Sequence, residues 1–165
     1  MQSECQIRPA RVGDAKRIFS LIREHADVLV VRSMANVVEH LDRFLVAVSP
    51  EGEVVGTIAY EILAEIGETE RTSAELQSVC VAESQRGHGL GRRLVKAQLD
   101  RLDSIGIRQT IVLTFETEFF RRLGFFPADK HSLMHKLYRG CLNCSKHESP
   151  FTCPEVAMVR MPEES

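Results

Sequence analysis

Apolar residues recur along this chain at two spacings, and the switches between them lay out its elements. Gln6 to Pro9 is short and extended. Ala15, Ile18, Phe19 and Ile22 then fall at helical spacing, which predicts a helix from Asp14, its cap, to about His25. Ser33 is a second cap, opening a helix through Val37, Val38 and Leu41 that ends near Asp42. Phe44 to Val48 and Val54 to Leu63 read as strands joined through the turn Ser49-Pro50-Glu51-Gly52. The polar stretch Glu65 to Thr72 reads as an exposed turn.

Ala74 to Val81 is the next strand, and a helix from Leu90 to about Ser104 follows it closely. Leu90, Leu94, Val95, Ala97, Leu99 and Leu102 form a broad apolar arc on that helix, opposite Arg92, Arg93, Lys96, Asp100 and Asp103. A helix so divided covers a sheet with one face. Ile105-Gly106 ends it, Ile107 to Leu113 is a strand, Glu116 to Arg122 a short helix and Gly124-Phe125 a turn. Val156 to Val159 is a closing strand. The order β-α-α-β-β-β-α-β-α-β predicts an α+β mixed sheet with helices on both faces.

Composition narrows the class. The 165 residues fit a single domain, 1–165, with no repeat, linker or low-complexity tract. A net charge of −2 argues against nucleic-acid binding through bulk charge. No apolar run approaches membrane-spanning length, and no charged-then-apolar leader precedes the first strand, so a cytoplasmic protein with no membrane partner is expected. Five cysteines without a secretion signal are expected to be reduced. A homodimer is one option for its assembly.

The chemistry centres on Gln85-Arg86-Gly87-His88-Gly89-Leu90-Gly91-Arg92. Glycines on alternate residues let the backbone approach a ligand closely, and the free N–H groups of a helix start then form an anion site. The spacing G-x-G-x-G is neither the dinucleotide G-x-G-x-x-G nor the nucleotide-triphosphate G-x-x-x-x-G-K-[ST]. R-x-x-G-x-G after a strand resembles the acetyl-CoA loop of the GNAT N-acetyltransferase superfamily. The resemblance spans roughly Gln6 to Phe125 and includes Ala74-Glu75-Leu76-Gln77-Ser78-Val79-Cys80-Val81 and Phe119-Phe120-Arg121-Arg122-Leu123-Gly124-Phe125. It implies a GNAT-like, mostly antiparallel sheet. It also implies acetyl-CoA as cosubstrate, with Val79, Cys80 and Val81 along the pantetheine arm and Arg86, Gly87, His88, Gly89, Leu90, Gly91 and Arg92 around the pyrophosphate.

Acetyl transfer to an amine needs a base, because the amine is protonated at neutral pH. It also needs an N–H donor for the tetrahedral oxyanion, here from Val79 to Val81, and a proton or positive dipole for the departing thiolate. Glu75, in the strand before the loop, is the natural base, directly or through a water; the plainer reading is an outward carboxylate on an alternating strand. Phe120 stands where many members of the superfamily carry a tyrosine acid, so Tyr138, Thr114 or a water has to serve.

Leu113-Thr114-Phe115-Glu116-Thr117-Glu118-Phe119-Phe120 resembles the acetyltransferase domain of N-acetylglutamate synthases, with L-[ST]-x-x-T ahead of an aromatic-rich helix. Without an amino-acid kinase domain, the chain resembles the short, single-domain type. That resemblance gives Glu75 and Thr114 catalytic roles and the α-amino group of L-glutamate as acceptor, at the first step of arginine biosynthesis. Arg32 then holds a substrate carboxylate bidentately, with Lys136 and Arg139 as weaker candidates for the second. The plain reading of Arg32 is a solvated residue before a helix cap. Another small amine or a protein N-terminus is the alternative acceptor. A catalytically silent acyl-CoA-binding regulatory module is the reading from a different class.

The segment 140–154 is rich in cysteine. Cys141, Cys144, His147 and Cys153 could close a structural zinc site, which would pin an irregular stretch. The spacing matches no strong zinc template, so ordinary reduced cysteines or a redox-sensitive pair stand beside it. Cys80 reads as a small apolar strand residue rather than an acyl-carrying nucleophile.

Overall fold

The segments of alternating pattern form strands. The computed structural model describes residues 4–64, 72–133 and 153–162. Its strands are β1 (Gln6–Pro9), β2 (Phe44–Val48), β3 (Val54–Leu63), β4 (Ser73–Val81), β5 (Gln109–Thr114), β6 (Phe126–Pro127) and β7 (Val156–Arg160). They lie in one sheet in the order β1-β2-β3-β4-β5-β7-β6. β4 and β5 pair in parallel, whereas β1 with β2, β2 with β3, β5 with β7 and β6 with β7 pair antiparallel. The sheet is thus mixed and mostly antiparallel, as expected. The helices are α1 (Ala15–Glu24), α2 (Met34–Glu39), α3 (Leu90–Ser104) and α4 (Thr117–Arg121). No helix among the described residues is long and apolar enough to cross a membrane.

The chain divides into two compact units, Met1–Tyr60 with Gln77–Arg101, and Glu61–Leu76 with Leu102–Ser165. In the first unit, Ile18, Leu21, Ile22, Val37, Phe44, Val46, Ile58, Leu94 and Val95 are buried. Removing such apolar surface from water is the main stabilising term, worth roughly 1.5–3 kcal/mol for each large aliphatic side chain. Gly56 on β3 lets α3 approach closely: a Cβ there would stand 2.9 Å from Leu94 Cδ1 and 3.3 Å from Ala47 Cβ. The buried Gln98 of α3 donates its amide to the Arg43 carbonyl at 2.9 Å. In the second unit, Leu63, Ile111, Leu133, Ala157 and Val159 form an apolar cluster.

Several expected boundaries move for physical reasons. Asp14 occupies the cap position of α1 but makes no side-chain cap bond there. Its carboxylate instead accepts from the Arg11 N–H at 2.7 Å and from Arg8 at 2.7 and 3.0 Å, which fixes the tight turn Val12–Asp14 ahead of the helix. Ser33 does cap α2, its Oγ accepting from the Asn36 N–H at 3.1 Å. That helix stops at Glu39, and Leu41–Arg43 is a separate 3-10 turn.

The strand expected from Ile107 begins at Gln109, because Ile107 belongs to the end of α3. Its N–H reaches back to the Leu102 carbonyl at 3.0 Å and that of Gly106, at φ +85°, to Asp103 at 3.0 Å. This is the Schellman arrangement, which satisfies the last carbonyls of a helix through a left-handed residue. The same arrangement closes α4, with Phe125 N–H bonded to Phe120 O and Gly124 N–H to Arg121 O, both at 3.1 Å. Phe126–Pro127 then adds the short strand β6, absent from the sequence-based order.

Candidate functional site

The first unit holds the glycine loop. β4 delivers the chain into a 3-10 turn, Glu83–Gln85, and Ala82 N–H is held by the Val55 carbonyl at 2.7 Å. Gly87 and Gly89 adopt φ of +80° and +75°, conformations that a side chain disfavours. Gly91 lies within the first turn of α3, so two of the three glycines shape the loop. The Gly89 carbonyl accepts from Arg93 N–H at 3.1 Å, and α3 begins there. The N–H groups ahead of Arg93 have no intrahelical acceptor, and the helix dipole adds partial positive charge. Arg86, Gly87, His88 and Gly89 are exposed and Leu90 is buried, so the loop is open to a ligand while its far end is anchored.

Its arginines are not equivalent. Arg86 Nη2 lies 2.9 Å from His25 Nε2. Arg93 donates to the Cys5 carbonyl at 2.8 Å and pairs with Glu4 at 3.0 Å, so the N-terminal residues engage it. Arg92 is exposed and makes no side-chain hydrogen bond among the described residues. Among the described residues it is a cation at the helix start that no protein acceptor engages.

Along β4, Gln77, Val79 and Val81 are half-buried, while Ser78 and Cys80 are buried. Ser78 has φ +53°, a left-handed residue inside a strand. Such a residue bends the strand locally and stores strain of order 1–3 kcal/mol. Burial pushes the Cys80 thiol up to about 12, with the charge of Glu24 adding to the effect and Arg17 and Arg86 opposing it. The burial of Cys80 suits the small apolar strand residue that the sequence suggests.

Arg32 is half-buried, not a solvated residue. Its Nε donates to Ser78 Oγ at 2.8 Å, Nη2 to Gln77 Oε1 at 2.5 Å and Nη1 to Asn36 Oδ1 at 2.7 Å. The guanidinium also lies over the Phe44 ring, 5.3 Å from its centroid. Sequence reasoning missed Gln77, Ser78 and Asn36 as its partners.

In the second unit, Glu75 is buried on β4, level with Ile111 of β5. It is not an outward carboxylate. The registered pairing covers Ser73–Glu75 against Gln109–Ile111, and β4 then runs on to Val81. Thr114, at the end of β5, is also buried, and its Oγ1 accepts from the Glu116 N–H at 2.8 Å. Strand alternation places Thr114 on the opposite face of the sheet from Ile111, and hence from Glu75. The two expected catalytic groups therefore approach from different sides.

Phe120 is buried, edge-to-face with Phe119 at 5.0 Å and with Phe125 at 5.3 Å. Lys136, Tyr138, Arg139, Cys141, Cys144 and His147 lie outside the described residues. Cys153 Sγ donates to Glu155 Oε2 at 3.6 Å, and burial raises its thiol above the ordinary range. Among the described residues, no group of three or more His, Cys, Asp or Glu side chains could hold a metal ion.

A family model, the acetyltransferase (GNAT) family, matches residues 15–125. An uncharacterized N-acetyltransferase of Chlorobaculum tepidum is 33% identical over 156 residues, covering 93% of this chain and 94% of that one. An amino-acid acetyltransferase of Mycobacterium tuberculosis is 33% identical over 123 residues, 72% of this chain and 67% of its own. Among solved structures, N-acetylglutamate synthase of Neisseria gonorrhoeae, complexed with coenzyme A and N-acetyl-glutamate, superposes with a TM-score of 0.78 at 25% identity. That match covers 99% of this chain and 36% of the synthase.

Proposed function

This chain belongs to the acetyltransferase (GNAT) family, whose enzymes take the acetyl group from acetyl-CoA, and we propose that its acceptor is the α-amino group of L-glutamate. The observation that carries the acceptor is the likeness to a synthase holding coenzyme A and N-acetyl-glutamate across nearly the whole of this chain. The amino-acid acetyltransferase of Mycobacterium tuberculosis supports the same class of acceptor.

In this reading the N–H groups around Gly87, Gly89, Leu90 and Gly91 receive the pyrophosphate, helped by Arg92 and His88. Val79, Cys80 and Val81 offer backbone groups to the pantetheine arm and an N–H to the oxyanion. Glu75 takes the proton of the ammonium group, directly or through water, so that nitrogen can attack the thioester carbon. The C–S bond then breaks as the nitrogen gives up its second proton through water to the Thr114 oxygen, and the Thr114 hydroxyl passes its own proton to the departing sulfur, ending as the neutral hydroxyl that accepts from the Glu116 N–H. Arg32 carries the substrate carboxylate by exchanging its Gln77 and Asn36 contacts for it, while Nε stays on Ser78.

Thiol release from acetyl-CoA, followed across a panel of amino acids and a short peptide, tests the acceptor. L-Glutamate is expected to give the highest kcat/KM. Glu75→Gln should lower kcat by about 10²–10⁴-fold with the KM for acetyl-CoA nearly unchanged. A higher kcat/KM for another amine replaces the glutamate reading, and full activity in Glu75→Gln removes the base.

A further inference from the structure

We infer that His25, at the end of α1, is a positioning residue for the coenzyme loop, acting through Arg86. The inference rests on the assignment of residues 86–92 to the pyrophosphate. His25 is buried, and its Nδ1 lies 2.8 Å from the Leu21 carbonyl. A carbonyl oxygen only accepts, so Nδ1 carries the proton and the imidazole presents a lone pair at Nε2. Arg86 Nη2, 2.9 Å away, can only donate. The two contacts therefore specify one tautomer and one direction of hydrogen bonding.

The backbone of His25 is held on both sides. Its N–H bonds to Ile22 O at 3.0 Å, and its carbonyl accepts from Val28 and Leu29 at 3.1 and 2.9 Å. An imidazole on so fixed a backbone is a rigid acceptor. Arg86 immediately precedes Gly87, and the two positive-φ glycines that follow have open space where a Cβ would stand. Nothing in those glycines selects one loop conformation. The Arg86 N–H bond to the Glu83 carbonyl, at 3.2 Å, fixes the backbone on the near side, and the His25 contact fixes the side chain. Ordering the loop before the ligand arrives lowers the conformational cost of binding.

The test is CoA affinity by calorimetry on the full chain, with steady-state kinetics alongside. His25→Phe keeps a ring but removes the acceptor. His25→Asn keeps a partner for Leu21 but is too short to reach Arg86. Both should weaken CoA about tenfold and raise the KM for acetyl-CoA to match, with kcat at saturation within about twofold. His25→Gln places an oxygen where Nε2 stood and should recover most of the affinity. Arg86→Ala should show the same loss, and adding His25→Phe to it should weaken binding no further. Losses that add in the double variant, or His25 variants that bind CoA like the parent while Arg86→Ala does not, overturn the role of His25 alone. CoA affinity unchanged in Arg86→Ala removes the side chain's part in the loop, and with it the inference.

Discussion

Arg32 Nε donates to Ser78 Oγ at 2.8 Å, and Ser78 is a non-glycine residue held at positive φ, +53°, inside β4. The pair joins the segment ahead of α2 to the distorted point of the strand that precedes the glycine loop. Gln77, next to Ser78, is bonded to the same guanidinium. A left-handed residue with a Cβ persists only where its surroundings over-determine it, and Arg32 supplies that restraint from the side-chain oxygen.

The restraint gives an order of stabilities at position 78. Ser78→Gly loses the hydroxyl but gains the permissive backbone, so it should lie within about 0.5 kcal/mol of the parent. Ser78→Ala keeps the strain and loses the acceptor, at a cost of about 1–2 kcal/mol. Ser78→Val adds a β-branch at positive φ and should cost about 2–4 kcal/mol. Urea unfolding of the three variants checks the order. Valine tolerated as well as glycine would mean that the strand does not hold this conformation in solution.

Cys80 predicts an alkaline limit. Its thiol is pushed up to about 12, against an ordinary value of about 8.5. A folded value above the unfolded one stabilises fully below the unfolded pKa and is lost as pH rises towards the folded one. Between pH 8 and 10.5 the parent should therefore lose about 2–3 kcal/mol more than Cys80→Ala, in denaturant unfolding at each pH. Parallel pH profiles for the two proteins would exclude this group as the source. Alkylation of Cys80 by iodoacetamide should require unfolding.

Asp14 sets a limit on the acid side. Its hydrogen bonds with Arg8 hold the carboxyl below the usual aspartate range, against the opposing effect of burial and with help from the Arg11 N–H. A depressed carboxyl contributes above its unfolded value, about 3.9, and the contribution disappears as pH falls through the lower folded value. Asp14→Asn should cost about 1–2 kcal/mol at pH 7, and the gap to the parent should close below pH 4. A gap that does not shrink at all as the pH falls below 4 would place the cost in packing instead of charge.

What the sequence reveals and what it hides divide along the range of the interactions. β2, β3 and α3 follow the expected bounds because the apolar period of each segment agrees with the tertiary role it has. The glycine loop is legible because its glycines and arginines lie in consecutive residues. Ser78 is not, since Leu76-Gln77-Ser78-Val79-Cys80-Val81 reads as an unbroken strand and contains no glycine or asparagine to mark a left-handed point. Arg32 meets Ser78 across 46 residues and Arg86 meets His25 across 61. No local pattern announces such pairs, because only the packed fold brings them together.

Phe120 stands where the resemblance to the superfamily implies a tyrosine acid. The tyrosine expected there as an acid is replaced by a ring packed against Phe119 and Phe125, where Phe125 N–H also bonds to the Phe120 carbonyl. An apolar contact between these two positions commonly accompanies the Schellman closure of a helix. Phe120→Ala should thus destabilise the protein by about 3–5 kcal/mol. Phe120→Tyr puts a hydroxyl among buried rings, which should cost about 1–3 kcal/mol without raising kcat. Thermal unfolding and kcat, measured on the same samples, separate the two effects. A rise in kcat of tenfold or more in Phe120→Tyr would show that the ring tip reaches the departing thiolate, and Thr114 would lose its role as the proton donor.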